Sequence, residues 1–177
     1  YNLTQILDKT LMKENPSKAV TFVDNHDTQP GQSLQSFVER WLKLPGYALI
    51  LLRDEGYPCV FYGDYYGIPH DNVEPIKELE TIITLRKEKA YGKQNDYFDN
   101  PNRIGWTREG DNEHIKSGLA VLISNKNDTE KRMYIGKDYA GEKMLDAIGN
   151  CNEEVIIDGE GYGVFKVKAK SVSVWVM

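Results

Sequence analysis

Around Tyr91 and Gly92 the spacing of apolar residues changes from three-to-four to two, and nothing else in the sequence limits the fold as strongly. A helical period and a strand period cannot both be met by one uniform architecture, so the chain must be built in two different ways along its length. Before the change the order is β then α, repeated. Ala19 to Val23 is a short buried-strand candidate, and Leu34, Phe37, Val38, Trp41 and Leu42 follow at helical spacing behind Ser33 as a cap. Pro45-Gly46 is expected to break or kink that helix, which resumes at Tyr47 with Leu49, Ile50, Leu51 and Leu52. Gly56-Tyr57-Pro58 reads as a turn and Cys59-Val60-Phe61-Tyr62 as a second buried strand. Pro75 falls in a first helical turn, with Ile76, Leu79, Ile82 and Ile83 on one face. The βαβα order predicts adjacent parallel strands with helices packed outside.

After the change, Ile104–Thr107, Gly118–Ser124, Lys131–Ile135, Val155–Ile157, Val164–Val167 and Val172–Val176 read as short strands. Turn clusters separate them, including Gly110-Asp111-Asn112 and Asp158-Gly159-Glu160-Gly161. In the last strand Val172, Val174 and Val176 share a face opposite Ser171 and Ser173, which makes Trp175 a rim or interdomain residue. Regular short strands with turns between them predict an antiparallel sandwich of Greek-key type. Two domains are therefore expected, 1–91 with α/β character and 92–177 all-β.

At 177 residues the chain can bury a sizeable core. It is too short for a complete parallel β/α barrel, which takes about 250 residues. It begins at Tyr1 rather than Met, so the expectation is a piece of a longer protein. A net charge of −5 gives no basic footprint for nucleic acid or an anionic membrane, and no run of about 18 apolar residues is present. Cys59 and Cys151, one in each expected domain, favour reduced thiols and a cytoplasmic setting over a disulfide framework. His26, His70 and His114 are too scattered for zinc-ligand spacing, so no metal site is expected from them.

The stretch Thr21-Phe22-Val23-Asp24-Asn25-His26-Asp27-Thr28-Gln29 carries the chemistry. In a parallel β/α architecture the catalytic groups sit where strands end, so an imidazole and a carboxylate placed there read as site residues. The competing reading is an N-terminal helix cap, because Asp and Asn often precede helices. Only one of the four polar residues could occupy that position.

Phe22–Asp27 resembles the fourth conserved region of the alpha-amylase family of glycoside hydrolases, and Gly56–Asp64 looks like that family's eighth barrel strand. The resemblance continues through Gly105–Asp111, Gly118–Ala120 and Ser171–Val176, and is strongest to the family's bacterial liquefying-type and cytoplasmic members. It implies α/β plus all-β architecture: the last two β/α units of a TIM-type barrel followed by the β-sandwich. It gives Asp27 the role of the third catalytic carboxylate, stabilising an oxocarbenium-like transition state. His26 would hydrogen-bond the sugar in the cleavage subsite, Gln29 and Gln32 are candidates for glucan hydroxyls, and Asp24 and Asn25 would support the loop.

The same resemblance puts the nucleophile and acid/base before Tyr1, so the 177 residues alone should be inactive. The implied partners are an α-glucan and the rest of the catalytic barrel. Relatives in the secreted liquefying group hold calcium at positions matching Tyr1, Asn102 and Asn125. Amides there in place of carboxylates imply no tight calcium, since affinity falls with ligand charge, although calcium elsewhere in the whole protein stays open. That loss favours a cytoplasmic enzyme over a secreted one. Competing functions are a transglycosylase or maltogenic enzyme and a noncatalytic glucan-binding sandwich, the last using Trp106, Tyr134, Tyr139 or Trp175 as stacking surfaces.

Overall fold

The computed structural model describes residues 1–177. A short helix α1 (Leu11–Glu14) leads into strand β1 (Val20–Thr21), followed by helix α2 (Arg40–Leu51) and strand β2 (Tyr57–Pro58). Helices α3 (Tyr62–Tyr66) and α4 (Leu79–Glu88) close the first region. β1 and β2 pair in parallel, Val20 opposite Tyr57, and this two-residue pair is all the parallel sheet present. A closed barrel is not in the chain.

Several boundaries differ from those the spacing predicts. The helix expected from Ser33 starts at Arg40, because the segment before it is drawn into another use: the Val38 N–H is held by Asp24 Oδ1 at 3.2 Å. Pro45-Gly46 does not interrupt α2. Pro45 withdraws one donor, and a side chain at position 46 would approach Val23 Cγ2 within 3.2 Å, so the pair lets the helix lie close to the β1 segment. The second strand lies at Tyr57–Pro58, where a turn was expected, and Tyr62 opens a helix. Gly56 makes the earlier turn at φ +83°, after which Tyr57 N–H and Cys59 N–H bond Ala19 O and Thr21 O at 2.7 Å each. Pro75 precedes α4 by an extended stretch whose carbonyls are taken by the Arg40 guanidinium, Glu74 O at 2.6 Å and Pro75 O at 2.8 Å.

The second region is antiparallel throughout. Strands β3 (Gln94–Asn100), β4 (Arg103–Arg108), β5 (Leu119–Ser124), β6 (Thr129–Tyr134), β7 (Lys143–Asp146), β8 (Val155–Ile156), β9 (Tyr162–Val167) and β10 (Ser171–Val176) form it. The main sheet runs β3-β4-β5-β10-β7-β8, and β6 and β9 pair separately. β3 carries no clean alternation, being a polar edge strand, Gln-Asn-Asp-Tyr-Phe-Asp-Asn, and β7 alternates in burial but is only four residues long.

The main sheet is buried on both faces. Leu119, Val121 and Ile123 of β5 point with Val172 and Val174 of β10 into a core shared with Tyr47–Leu51 of α2, the following Leu52, and Leu79, Ile82 and Leu85 of α4. Ala120, Leu122 and Trp175 point the other way, against Met133, Phe165 and Val167 of the β6–β9 pair. Trp175 is therefore a fully buried core residue rather than a rim residue. Ser173, on its face, is buried too, and its hydroxyl donates to Lys166 O at 2.6 Å while accepting the Trp175 indole N–H at 2.9 Å. A two-sided strand places polar residues inside only where every polar atom finds a partner, as here.

The two regions are joined at the C-terminal end of α2. Its last carbonyls need donors from outside the helix. Arg86 of α4 donates to Leu51 O at 2.6 Å and the Trp106 indole to Leu52 O at 3.3 Å. Buried Arg53 forks onto Asp96 of β3 at 2.7 and 2.9 Å.

Candidate active-site loop

Beyond β1 the chain leaves the parallel pair through Phe22 and Val23 and folds into a tight loop. Asn25 Oδ1 accepts the N–H groups of Asp27 and Thr28, both at 3.0 Å, an Asx turn that sets the direction of the two residues between. Thr28 Oγ1 accepts the Asn25 N–H at 3.2 Å and closes the loop from the other side. With the backbone so tied, the His26 and Asp27 side chains stand out into solvent, 84% and 59% exposed, with Nε2 and Oδ1 3.5 Å apart. Asp27 makes no capping bond and α2 begins only at Arg40, behind Glu39, so the helix-cap reading of Asp27 fails.

Asp24 turns inward and is 2% exposed. Its Oδ1 takes the Val38 N–H and the Thr28 hydroxyl, the latter at 3.4 Å. Its Oδ2 lies 2.8 Å from Lys43 Nζ, at ion-pair distance without hydrogen-bond alignment. Lys43, also 2% exposed, donates on its other side to Asp64 Oδ1 at 2.5 Å, and its ammonium sits 3.1 Å from the centre of the Phe37 ring. Asp64 Oδ2 accepts the Tyr47 hydroxyl at 2.7 Å. Burial first, and then the Asp64 carboxylate, push that hydroxyl well above the usual tyrosine range, so it remains a donor.

Lys43 and Asp64 were not singled out from the sequence. The available signal was a lysine inside the apolar run Trp41-Leu42-Lys43-Leu44, since a lysine buried in a helix face needs a paired carboxylate. Gln29, half-buried, and Gln32, exposed, continue the loop beyond Thr28, and neither side chain is hydrogen-bonded to His26 or Asp27. Asp24 and Asp64 are both committed to Lys43, so Asp27 is the free carboxylate of this loop. It can present a fixed negative charge, and His26 an imidazole, to a ligand arriving from solvent.

The four aromatics considered as sugar-stacking surfaces are used differently. Trp106 and Trp175 are fully buried and Tyr139 is 8% exposed, its hydroxyl shared between Glu109 O at 2.8 Å and Ser117 O at 2.6 Å. Burial raises that hydroxyl's pKa to about 12. Only Tyr134 keeps a partly open face, against Tyr162. A cleft of about 830 Å³ is lined by Glu109, Asp111, Tyr134, Lys137 and Tyr139 among others, all in the second region. No group of three or more His, Cys, Asp or Glu is placed to hold a metal ion, and no helix is long and apolar enough to cross a membrane.

Comparison with known proteins identifies the family. Residues 119–176 match the family model described as alpha-amylase C-terminal. An alpha-amylase of Geobacillus stearothermophilus is 51% identical over 99% of this chain and 32% of its own length. The cytoplasmic alpha-amylase of Escherichia coli (strain K12) is 41% identical over 100% of this chain and 38% of its own length. Among solved structures, the gamma-CGTase of an alkalophilic Bacillus clarkii superposes with a TM-score of 0.60 at 22% identity, covering 93% of this chain and 27% of that one, which speaks for the fold alone. The chain belongs to the alpha-amylase family, with the family's antiparallel C-terminal domain in its second region. It spans about a third of the length of the relatives it matches.

Proposed function

We propose that this chain is the end of an alpha-amylase that cleaves internal α-1,4 bonds of starch, glycogen or maltodextrin with retention of configuration. Residues 1–91 supply the last two β/α units of its catalytic barrel and 92–177 its C-terminal domain. The observation that carries the reading is the exposed His26–Asp27 pair, 3.5 Å apart, on a hydrogen-bonded loop directly after a parallel strand. Cleavage of a glycosidic bond builds positive charge on the sugar ring, and a preorganised carboxylate beside it lowers the barrier. Asp27 is that transition-state carboxylate, and His26, Gln29 and Gln32 hold glucan hydroxyls.

A retaining reaction also needs a nucleophile and an acid/base about 5 Å apart. The family resemblance puts both groups in the rest of the barrel, before Tyr1, which would leave the 177 residues alone inactive; Asp24 and Asp64, which flank one ammonium, are not free for either role. The parallel pair is exposed at Val20, Phe22 and Tyr57, 64%, 52% and 77%, and these side chains meet the remaining barrel. The cytoplasmic setting rests on the free thiols of Cys59 and Cys151 and on the likeness to the cytoplasmic enzyme of E. coli; secretion is the alternative.

The Tyr1–Asn102–Asn125 corner does not fit a tight calcium site. Asn125 Nδ2 donates to Tyr1 O at 2.7 Å, Asn125 N–H to Asn102 O at 3.1 Å, and Leu3 N–H to Pro101 O at 2.9 Å. The carbonyls a cation would use are spent on protein donors, and no carboxylate replaces them. Asn102→Asp with Asn125→Asp should create calcium-dependent stabilisation that neither single change gives, read as a shift in Tm on adding calcium.

The reading is tested on the full-length protein with amylose, following products by proton NMR. Newly released ends should appear first as the α anomer, and chain length should fall faster than reducing sugar rises. Release of β-anomeric ends, or of transfer products only, would contradict it.

A further inference from the structure

We infer that Lys43 is a positioning residue for Asp27, acting through Asp24; this rests on the reading of Asp27 as the transition-state carboxylate. Lys43 stands between two carboxylates from separate segments, Asp24 at 2.8 Å and Asp64 at 2.5 Å, with Phe37 closing over its ammonium. Stability alone explains this poorly, because a buried ion pair is often matched or bettered by apolar residues of similar volume. What the ammonium does that a hydrocarbon cannot is fix three backbone segments relative to one another: the loop at Asp24, the helix α2 and the start of α3.

The path from Asp24 to Asp27 is short and stiff. Thr28 bonds both Asp24 Oδ1 and Asn25 N–H, and Asn25 Oδ1 takes the Asp27 and Thr28 N–H groups. Asp27 has no hydrogen bond of its own to hold its carboxylate, only the ion-pair contact with exposed His26. Its position is therefore inherited from the loop, which is anchored by Lys43 and the Val38 N–H at Asp24 and by the Ser36 N–H at Thr28 O. Misplacement by about 1 Å is enough to lower turnover roughly 10²-fold when a group must meet a transition state. Tyr47 and its bond to Asp64 hold the far side of the ammonium in the same way.

The test is a double-variant cycle in the full-length protein, with kcat and KM measured per folded molecule for Lys43→Met, Lys43→Arg, Asp27→Asn and the double variant Lys43→Met/Asp27→Asn. Lys43→Met should lower kcat about 10- to 10²-fold with KM changed far less, and Lys43→Arg should restore part of the loss. The double variant should be no slower than Asp27→Asn alone, because Lys43 works through a carboxylate already removed. If Lys43→Met does not fold, Asp64→Asn carries the same expectation with a milder change. Parental kcat in Lys43→Met beside an impaired Asp27→Asn would overturn the positioning role, as would losses that multiply in the double variant. Parental kcat in Asp27→Asn would instead remove the reading of Asp27 on which this depends.

Discussion

The two sides of the main sheet make the most useful comparison. Toward the β6–β9 pair, Trp175, Phe165 and Met133 are fully buried within the second region itself. Toward α2 and α4, the sheet is completed only by residues from the first region, and the first region in turn leaves Val20, Phe22 and Tyr57 open beyond its parallel pair. One core is self-sufficient, and the other is a layer in a larger stack. Burial on both faces is thus what the second region needs from the first, and the first region leaves apolar side chains open at its parallel pair.

The strongest way to break this comparison is to remove residues 1–91. Residues 92–177 alone would expose Ile104, Trp106, Val121, Val172 and Val174, a face that water does not tolerate in a stable monomer. Loss of a cooperative thermal transition, with strong binding of a hydrophobic dye, is expected. A monomeric, cooperatively melting 92–177 would show that the helices cover the sheet without supporting it.

A smaller change sharpens it from the other face. Trp175→Ala removes the largest side chain of the self-sufficient core and should destabilise the protein by about 3–5 kcal/mol, read by denaturant unfolding. A loss under about 1 kcal/mol would mean that the β6–β9 pair packs loosely, since surface-like sites show losses of that size.

How much of this was legible follows from where the periodicity is clean. β4, β9 and β10 were readable because one apolar face alternates, and β5 because it is an unbroken apolar run. β3 was not, being an edge strand whose pairing with β4 depends on backbone bonds that leave no pattern in side chains. β10 misled in one respect: its valines marked the face toward the helices, while the opposite face, Ser173 and Trp175, read as surface because serine is polar. The loop at His26–Asp27 was legible as a motif, but its anchor was not, since Lys43 lies 16 residues beyond Asp27 and Asp64 a further 21, and only the fold brings them to Asp24.

Acid should act mainly on the second region. Asp99 is held below the ordinary 3.8 by its bond to Lys131, Asp128 by the Ala169 N–H and Lys168, and Asp158 by the Tyr162 N–H and Arg132. A carboxyl lowered in the folded state adds stability above its unfolded value, and that contribution disappears as pH falls through the folded value. Stability should therefore drop modestly below pH 3.8, less steeply in the triple variant with Asn at all three positions. All three groups are largely open to water, so the effect is small and weakens with salt. An unchanged acid slope in the triple variant would place the sensitivity elsewhere.

The smallest expected effect on stability belongs to the residue with the largest expected effect on chemistry. The Asp27 side chain is 59% exposed, and its carboxylate contacts nothing in the fold beyond its neighbour His26. Measured side by side in the full-length protein, Asp27→Asn should leave Tm within a degree or so of the parent, as for surface sites generally, while lowering kcat at least 10²-fold, about 3 kcal/mol of transition-state stabilisation. A variant that instead loses Tm and keeps its turnover per folded molecule would show that the loop serves the fold, and that the catalytic reading of His26 and Asp27 is wrong.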